Sequence, residues 1–266
     1  MDELSRALEL DRRVRLRGGL ETIEIPEGFV VLHSGLPTIR FLNAVLLPGP
    51  LPEAIDARAV LALAERWLGS LPYRYVVIDD GEGSERLTAE LESAGAVRRR
   101  TLFMVFRGWR RRLPDDPRAR EVTDSELRAL QRANFDEADF VQAAAPGLAQ
   151  ALVEAQAALR AGTRARGFGA GDGDGLQSMG TLFLDPDVGG RRVAMVEEVA
   201  TLTAYRERGL AKAVVGRAVR EALRWGADLV TIPAEADDWP QLIYAKLGFE
   251  PVGIQVSFTL RGVTDS

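Results

Sequence analysis

The sequence predicts an α/β (α+β) protein made of two tandem domains. Three observations support this: the length, a proline-containing break and a repeated order of elements. The 266 residues exceed the roughly 100 to 200 residues that one domain commonly holds. The segment 113–117 contains Pro114 and Pro117, and each proline fixes φ and removes a backbone donor. We therefore expect a first domain over residues 1–108, a linker over 109–118 and a second domain over 119–266.

The two halves share an order of helix, strand, helix, glycine and strand. In the first half these elements are expected at 53–68, 75–78, 85–94, Gly95 and 102–106. In the second half they are expected at 208–225, 229–232, 239–246, Gly248 and a pair of strand segments over 249–260. The spacing agrees within a few residues, which favours duplication of one domain.

The second half begins with further elements that its repeat partner lacks. Thr123 to Glu126 has the residues of a helix N-terminus, and a second apolar helical pattern follows Pro146. Strands are expected over 166–170, 179–184 and 192–202. The glycine and aspartate run 171–175 between the first two reads as a hairpin turn and lacks the spacing of a calcium loop.

Composition excludes several classes of function. Hydrophobic content of 46% with 27% charged residues is typical of a folded globular protein. A net charge of -5 gives no overall basic field, so we expect no nucleic-acid partner and interpret the runs 98–100 and 110–112 as solvated arginines. The chain has no cysteine and one histidine, His33, so disulfides, thiolate catalysis, cysteine zinc sites and multi-histidine metal centres are excluded. We expect no bound metal.

The N-terminal residues lack the basic-then-apolar pattern of a secretory signal, and the sequence has no apolar run of membrane-spanning length. We therefore expect a cytoplasmic protein with no membrane partner. The oligomeric state is not encoded in any pattern of this sequence.

One strand-to-helix connection in the second half is suited to binding an anion. It reads Arg206, Glu207, Arg208, Gly209, Leu210, Ala211 and continues into Lys212. The first N–H groups of a helix have no partners within the helix, and the helix dipole is positive there. Gly209 permits close approach of the backbone, and the basic side chains add positive charge. Taken alone, this turn is also compatible with an ordinary connection.

The wider context of this loop resembles the GNAT acetyltransferase family. That family has a strand, the dipeptide Tyr-Arg (here Tyr205 and Arg206) and the loop pattern Arg or Gln-x-x-Gly-x-Gly or Ala. About 35 residues later it has an Asn, a Tyr six places on, and Gly-Phe. Here Asp238, Tyr244, Gly248 and Phe249 occupy those places, and Asp, like Asn, can cap the short helix that follows.

The resemblance implies two tandem GNAT-like domains, each with a mixed, mostly antiparallel sheet flanked by helices. It implies that acetyl-CoA is the co-substrate and lies in a splay between the strand ending at Thr201 and the strand 229–232. The expected cofactor-binding residues are Val199, Ala200, Thr201, Arg206, Glu207, Arg208, Gly209, Leu210, Ala211, Lys212 and Asp238.

The resemblance also suggests catalytic residues. Glu197 is the preferred base, because strand alternation would place it on one face with Met195, Val199 and Thr201 and would turn Glu198 away. Pairing with an arginine is an equally good interpretation of Glu197, and Glu198 is the weaker alternative base. Tyr244 occupies the place of the family's general acid, and packing on the core face of its helix is the alternative interpretation.

The first half is predicted to have lost coenzyme binding. Aligning Trp67 with Trp225 places Pro48, Gly49, Pro50, Leu51, Pro52 and Glu53 on the loop, and three prolines remove donors there. The expected activity is therefore N-acetylation, by the second half, of an amine on a small molecule, peptide or protein. The alternatives are a non-catalytic acyl-CoA-binding or sensing module, and an enzyme using another acyl donor or an alcohol.

Overall fold

The computed structural model describes residues 1–108, 113, 115–144, 146–173 and 175–261. Within them the helices are α1 Glu3–Gly18, α2 Ala57–Leu68, α3 Gly81–Ser93, α4 Asp124–Asp136, α5 Asp139–Gln142, α6 Leu148–Ala161, α7 Leu210–Trp225 and α8 Pro240–Leu247. The strands are β1 Glu21–Ile25, β2 Gly28–Leu32, β3 Ala44–Leu47, β4 Tyr73–Ile78, β5 Val97–Phe106, β6 Ala119–Val122, β7 Arg164–Ala170, β8 Ser178–Asp185, β9 Val193–Thr201, β10 Leu229–Glu235 and β11 Phe249–Arg261. None of the described helices is long and apolar enough to cross a membrane.

The described strands form one sheet in the order β1-β2-β3-β4-β11-β5-β10-β9-β8-β7-β6. The pairs β3–β4 and β9–β10 are parallel, and the other neighbours are antiparallel. Helices cover both faces, with α7 packed on β7, β8 and β9 and with α1, α4 and α6 on the opposite face. The predicted mixed, mostly antiparallel sheet flanked by helices is therefore confirmed.

The last strand of each half lies beside the strands of the other half. β11 is inserted between β4 and β5, and β5 is inserted between β11 and β10. Val256 of β11 pairs with Ile78, and Val105 of β5 pairs with Thr231. Sequence reasoning did not foresee this exchange, which joins the two halves into one continuous sheet. The boundaries at 1–108, 109–118 and 119–266 remain a prediction, and residues 109–112 and 114 of the expected linker lie outside the described residues.

The repeated elements appear in the expected order, with shifted ends. The helix expected from residue 53 begins at Ala57, where Asp56 caps it, and the helix expected at 85–94 spans Gly81–Ser93. The strand segments expected over 249–260 are one strand, β11, with an irregular register between Pro251 and Gly253. The predicted pair was wrong because a bulge interrupts the pattern without ending the strand.

The N-terminal helix α1 was not predicted, and it connects the two halves. Asp2 caps it by accepting a hydrogen bond from the Ser5 amide at 2.7 Å. Its apolar residues are buried against Phe103 of β5 and Met195 of β9 in one core cluster. At its start, Leu4 packs against the backbone of Gly253, where a Cβ would lie 2.3 Å from Leu4 Cδ2. The first half thus contributes directly to the core of the second.

The second half follows its local sequence signals. Thr123 and Glu126 form a complete capping box at the start of α4. The hairpin expected at 171–175 joins the antiparallel strands β7 and β8, although Asp174 lies outside the described residues. Helix α7 buries Val214, Val215 and other apolar side chains under the sheet.

Candidate active site

Strands β9 and β10 separate, as the family resemblance implied. Their parallel pairing runs from Leu229 with Val193 to Thr231 with Met195 and then ends. Beyond this pairing β9 continues to Thr201, while β10 continues to Glu235 paired with β5 on its other edge. The backbone of β9 over 196–201 therefore faces a gap in the sheet on its β10 side.

The N-terminus of α7 opens onto the same gap. Gly209 is its N-cap, with a left-handed φ of +79° and no side chain capping the first turn. Glu207 also has a positive φ of +66°. Two left-handed residues so close together turn the chain sharply into the helix. The amides of the first turn have no partner within the helix and point out of its end. These amides and the helix dipole form a place for an anion.

The gap and the helix end form one cleft of about 870 Å³. The predicted residues that line it are Val199, Ala200, Thr201, Arg206, Glu207, Gly209, Leu210, Ala211, Lys212, Asp238 and Tyr244. Asn134, Tyr205, Trp239, Pro240 and Ile243 complete the lining. The structure thus brings together nearly all of the predicted cofactor-binding residues.

Arg208 and Glu197 do not line this cleft. The Arg208 guanidinium lies over the ring of Tyr205 at 5.0 Å, and its charge is partly offset by Asp172, 3.7 Å away and outside the lining of the cleft. Arg206 does line the cleft, and its Nε donates to the Thr201 carbonyl at 3.3 Å.

Asp238 lies in the lining but does not cap α8. Trp239 is the N-cap residue and makes no side-chain capping bond, while the Asp238 carboxylate accepts from the Trp239 amide at 2.7 Å. The expected cap was wrong because the first residue of α8 is Pro240. The N-cap position is therefore Trp239, and Asp238 lies one residue before it. The exposed side chain of Trp239 lies at the mouth of the cleft.

A bulge in β9 changes which side chains share a face. Thr181 pairs with Glu197 and Met179 pairs with Ala200, so Gly180 faces two residues, and Glu198 has a φ of +57°. Glu197 and Glu198 consequently both lie on the face that carries α1, α4 and α6. The predicted alternation, with Glu198 turned away, was wrong because a bulge adds one residue to the strand.

The same bulge moves Val199 to the opposite face from Glu197. A Cβ added at Gly180 would lie 3.4 Å from Val199 Cγ2 and 2.9 Å from Val214 Cγ1 of α7. Val199 therefore faces α7, contrary to the predicted grouping with Glu197. The bulge therefore places the carboxylates of Glu197 and Glu198 on one side of the strand and the cleft-lining side chain of Val199 on the other.

Glu198 is held by three side chains. Its Oε2 accepts from Thr181 Oγ1 at 2.6 Å, Gln131 Nε2 at 3.1 Å and Arg160 Nη1 at 3.3 Å. Burial raises the pKa of Glu198 to about 7, against the opposing effect of Arg160 and these hydrogen bonds. Its other oxygen, Oε1, is buried without a hydrogen-bond partner.

Within the part of the chain that the structure describes, Glu197 has no such set of side-chain hydrogen bonds and interacts with charged groups instead. Burial raises its pKa well above the 4.5 of an ordinary glutamate. The Asp11 carboxylate raises it further, Arg15 lowers it, and Glu198 raises it. A carboxyl group in this setting exchanges its proton nearer to neutral pH than an exposed one does.

Tyr244 of α8 lies between the cleft and the core. It is 7% exposed and lines the cleft, and its ring is 6.3 Å from that of Phe249. Burial, followed by the charge of Glu197, raises its pKa to about 12. The phenol is therefore fully protonated at neutral pH.

The corresponding place in the first half is closed. Strands β3 and β4 stay paired to Leu47 and Ile78, and the Asp79 amide continues the pairing by donating to the Leu47 carbonyl at 3.0 Å. The N-terminus of α2 is occupied by the Asp56 carboxylate, which accepts from the Ala59 amide at 2.8 Å. The gap and the free helix end are thus both missing.

Several contributors to the site were missed from the sequence. Tyr205 stands in the Tyr-Arg dipeptide, which was a usable signal, and Trp239 and Ile243 lie on the short helix that carries Tyr244. Asn134 comes from α4, where no local pattern marks it. Within the described residues, no group of three or more His, Asp or Glu side chains is arranged to hold a metal ion.

Comparison with known proteins gives a family and a fold. A sequence model of the acetyltransferase (GNAT) family matches residues 129–249. A search of curated proteins finds no match. Among solved structures, a functionally unknown conserved protein from Staphylococcus epidermidis is 12% identical, with a TM-score of 0.71 and coverage of 92% of this chain and 95% of that one.

Two further structures are similar over nearly the whole chain. A GCN5-related N-acetyltransferase from Kribbella flavida is 17% identical, with a TM-score of 0.59 and coverage of 97% and 96% of the two chains. A tandem GNAT protein from the clavulanic acid biosynthesis pathway is 15% identical, with a TM-score of 0.54 and coverage of 99% and 96%. At these identities the likeness establishes the fold.

The second half of this chain carries a domain of the acetyltransferase (GNAT) family, and the chain as a whole has the tandem GNAT fold. The matched region ends at Phe249, so it contains the bulged strand, the loop and helix α7, and Tyr244. The resemblance drawn from the loop and from Tyr244 to Phe249 is thereby confirmed.

Proposed function

We propose that the second half transfers an acetyl group from acetyl-CoA to an amine of a small molecule, peptide or protein. The observation that carries the proposal is the continuity of one cleft. An unpaired strand edge, an uncapped helix N-terminus and a buried tyrosine all open onto it. Each of these features suits a different part of the same co-substrate.

The pyrophosphate of acetyl-CoA fits the N-terminus of α7. The amides that follow Gly209 donate hydrogen bonds there, and Arg206 and Lys212 in the lining add positive charge. The pantetheine arm, which carries amide groups, fits along the free edge of β9 at Val199 to Thr201. The thioester then lies near the bulge and Tyr244.

The chemistry follows from the groups on either side of the bulge. The amine attacks the thioester carbonyl carbon, and a backbone N–H near the bulge stabilises the resulting oxyanion. Glu197 accepts the proton that the amine loses. When the carbon–sulfur bond breaks, Tyr244 donates its proton to the departing thiolate. The products are the acetylated amine and coenzyme A, and the two proton transfers balance.

The test is an acceptor screen with acetyl-CoA. Thiol release is measured with a thiol reagent, for which the protein gives no background because it has no cysteine. The acetylated product is identified by mass spectrometry. We expect turnover with at least one class of amine and much slower release without an acceptor.

Parallel reactions with longer acyl-CoA donors and with alcohols separate N-acetylation from other acyl transfers. If acetyl-CoA binds but no acceptor is acylated, and if Glu197→Gln and Tyr244→Phe bind it as the original protein does, the chain is a sensing module and the proposal is wrong.

A further inference from the structure

Helix α1 buries charged side chains among its apolar ones. Asp11 is 3% exposed and bonds Arg15 one turn later, with Arg15 Nε to Asp11 Oδ2 at 2.9 Å and Nη2 to Oδ1 at 3.2 Å. Gln255 of β11 donates to Asp11 at 3.1 Å and to Asp79 at 2.8 Å. This fixed pair sits on the face of α1 that contacts the sheet.

Stability does not account for this arrangement. Removing two charges from water costs several kcal/mol per ion, and apolar replacements of similar volume are often as stable or more so. The other fully buried side chains of α1, such as Leu10 and Val14, are apolar. The half-buried Arg12 pairs with Asp79, which Gln255 connects to Asp11. The cost of the ion pair therefore points to a role at the place where it lies.

Helix α1 also packs on β9, the strand that carries Glu197. It does so through Met195, which is two residues before Glu197 on the same face. Among the described residues, the charged and titratable groups that interact electrostatically with Glu197 are Asp11 and Arg15 of α1, Glu198 of β9 and Tyr244 of α8. Arg15 is the cation among them, and it interacts with Asp11, Glu197 and Tyr75.

We propose that Asp11 and Arg15, supplied by the first half, are positioning residues that set the electrostatic environment of Glu197. Asp11 holds the Arg15 guanidinium through two hydrogen bonds, so the positive charge of Arg15 acts on Glu197 without neutralising it fully. Glu197 can then take the proton of the acceptor amine and release it again. This inference rests on the proposed function, and it gives the degenerate half a part in the reaction of the other half.

The two residues act on Glu197 with opposite sign. Replacing Asp11 by Asn removes a negative charge and frees Arg15 for Glu197, so the carboxylate form becomes easier to reach. Replacing Arg15 by Met removes the positive charge and has the reverse effect. We expect the acid limb of the kcat/KM profile to move to lower pH in Asp11→Asn and to higher pH in Arg15→Met. Each shift should be on the order of one pH unit.

The matched control is Arg13→Met on the same helix. Arg13 bonds Glu9 and lies near Asp185, and it is not among the groups that face Glu197. It should leave the acid limb in place. Arg15→Lys should restore much of the original profile, since it keeps the charge. Thermal melts of all the variants show whether each one folds.

A second measurement does not depend on activity. Carbon-13 NMR of labelled glutamate carboxyl groups, with the Glu197 signal assigned by its loss in Glu197→Gln, gives the titration directly. Opposite shifts in Asp11→Asn and Arg15→Met support the proposal. Unchanged titration, shifts of the same sign, or an equal shift in Arg13→Met would overturn it. Failure of the proposed function is a different result, namely no acylation by the original protein while the NMR shifts persist.

Discussion

The proposed acid Tyr244 and the proposed base Glu197 lie on different elements. Tyr244 lines the cleft from α8, while Glu197 lies behind the bulge of β9. In the proposed reaction this separation suits a donor and an acceptor that serve different atoms, because the thiolate would leave on the coenzyme side and the amine would approach from the other. Burial raises the pKa values of both groups, so Tyr244 is fully protonated at neutral pH and Glu197 exchanges its proton nearer to neutral pH than an exposed glutamate does.

Removing the Tyr244 hydroxyl should slow the chemical step. We expect Tyr244→Phe to lower kcat by about 100-fold with an unchanged Kd for acetyl-CoA, since a positioned proton donor commonly contributes 10²- to 10⁴-fold. Tyr205→Phe is the control, because it makes the same change in the same cleft, and it should retain near-normal kcat. Equal kcat in Tyr244→Phe and the original protein would remove the assignment of Tyr244 as the acid.

The sequence was sufficient to predict which loop residues line the cleft, but not which way the side chains near the bulge point. Gly209 and Arg206 belong to a short local pattern that depends only on neighbouring residues in the sequence. The bulge depends on how Gly180 of β8 opposes Glu198 and Val199, which is a property of two strands at once. A strict alternation rule therefore assigned Glu198 and Val199 to the wrong faces.

At the scale of the element, α7 has a glycine in the left-handed conformation at each end, and the two glycines lie in different surroundings. Gly209 begins it with a φ of +79°, and Gly226 ends it with a φ of +86°. Only the first lies in the cleft. The pair offers a way to separate the stability of the helix from the binding of the coenzyme.

Gly209→Ala and Gly226→Ala should both lower Tm, because a left-handed conformation costs a non-glycine residue about 1 to 2 kcal/mol. Only Gly209→Ala should also weaken acetyl-CoA binding, since relief of the strain turns the first amides of α7 away from the cleft. Thermal melts and binding titrations of the two variants measure both effects. Equal loss of affinity in the two variants would mean that the amides at Gly209 do not hold the coenzyme.

Over the whole molecule, the two halves are joined by exchanged strands and by α1. The sequence predicted the repeated elements of each half because their patterns are local, yet a strand has the same pattern whichever neighbour it pairs with. The positions of β5 and β11 could therefore not be read from their own residues. The contribution of α1 to the core at Met195 was missed for the same reason, since that contact joins distant parts of the chain.

This architecture predicts that the second half does not fold well alone. A fragment over residues 119–261 loses β5, which leaves facing edges of β10 and β11 unpaired, and it also loses α1. We expect no cooperative thermal transition for the fragment by circular dichroism, and recovery of one when residues 1–108 are co-expressed. A monomeric fragment that melts cooperatively near the Tm of the full chain would show that the halves are independent domains.

The most direct test of the central claim is calorimetric titration of the full chain with acetyl-CoA. One open cleft at α7 and one closed counterpart at α2 should give a stoichiometry of one per chain. Gly209→Ala should weaken that binding, while the same titration of Gly226→Ala should match the original protein. Two sites per chain, or no binding at all, would contradict the assignment of the coenzyme to the cleft between β9, β10 and α7.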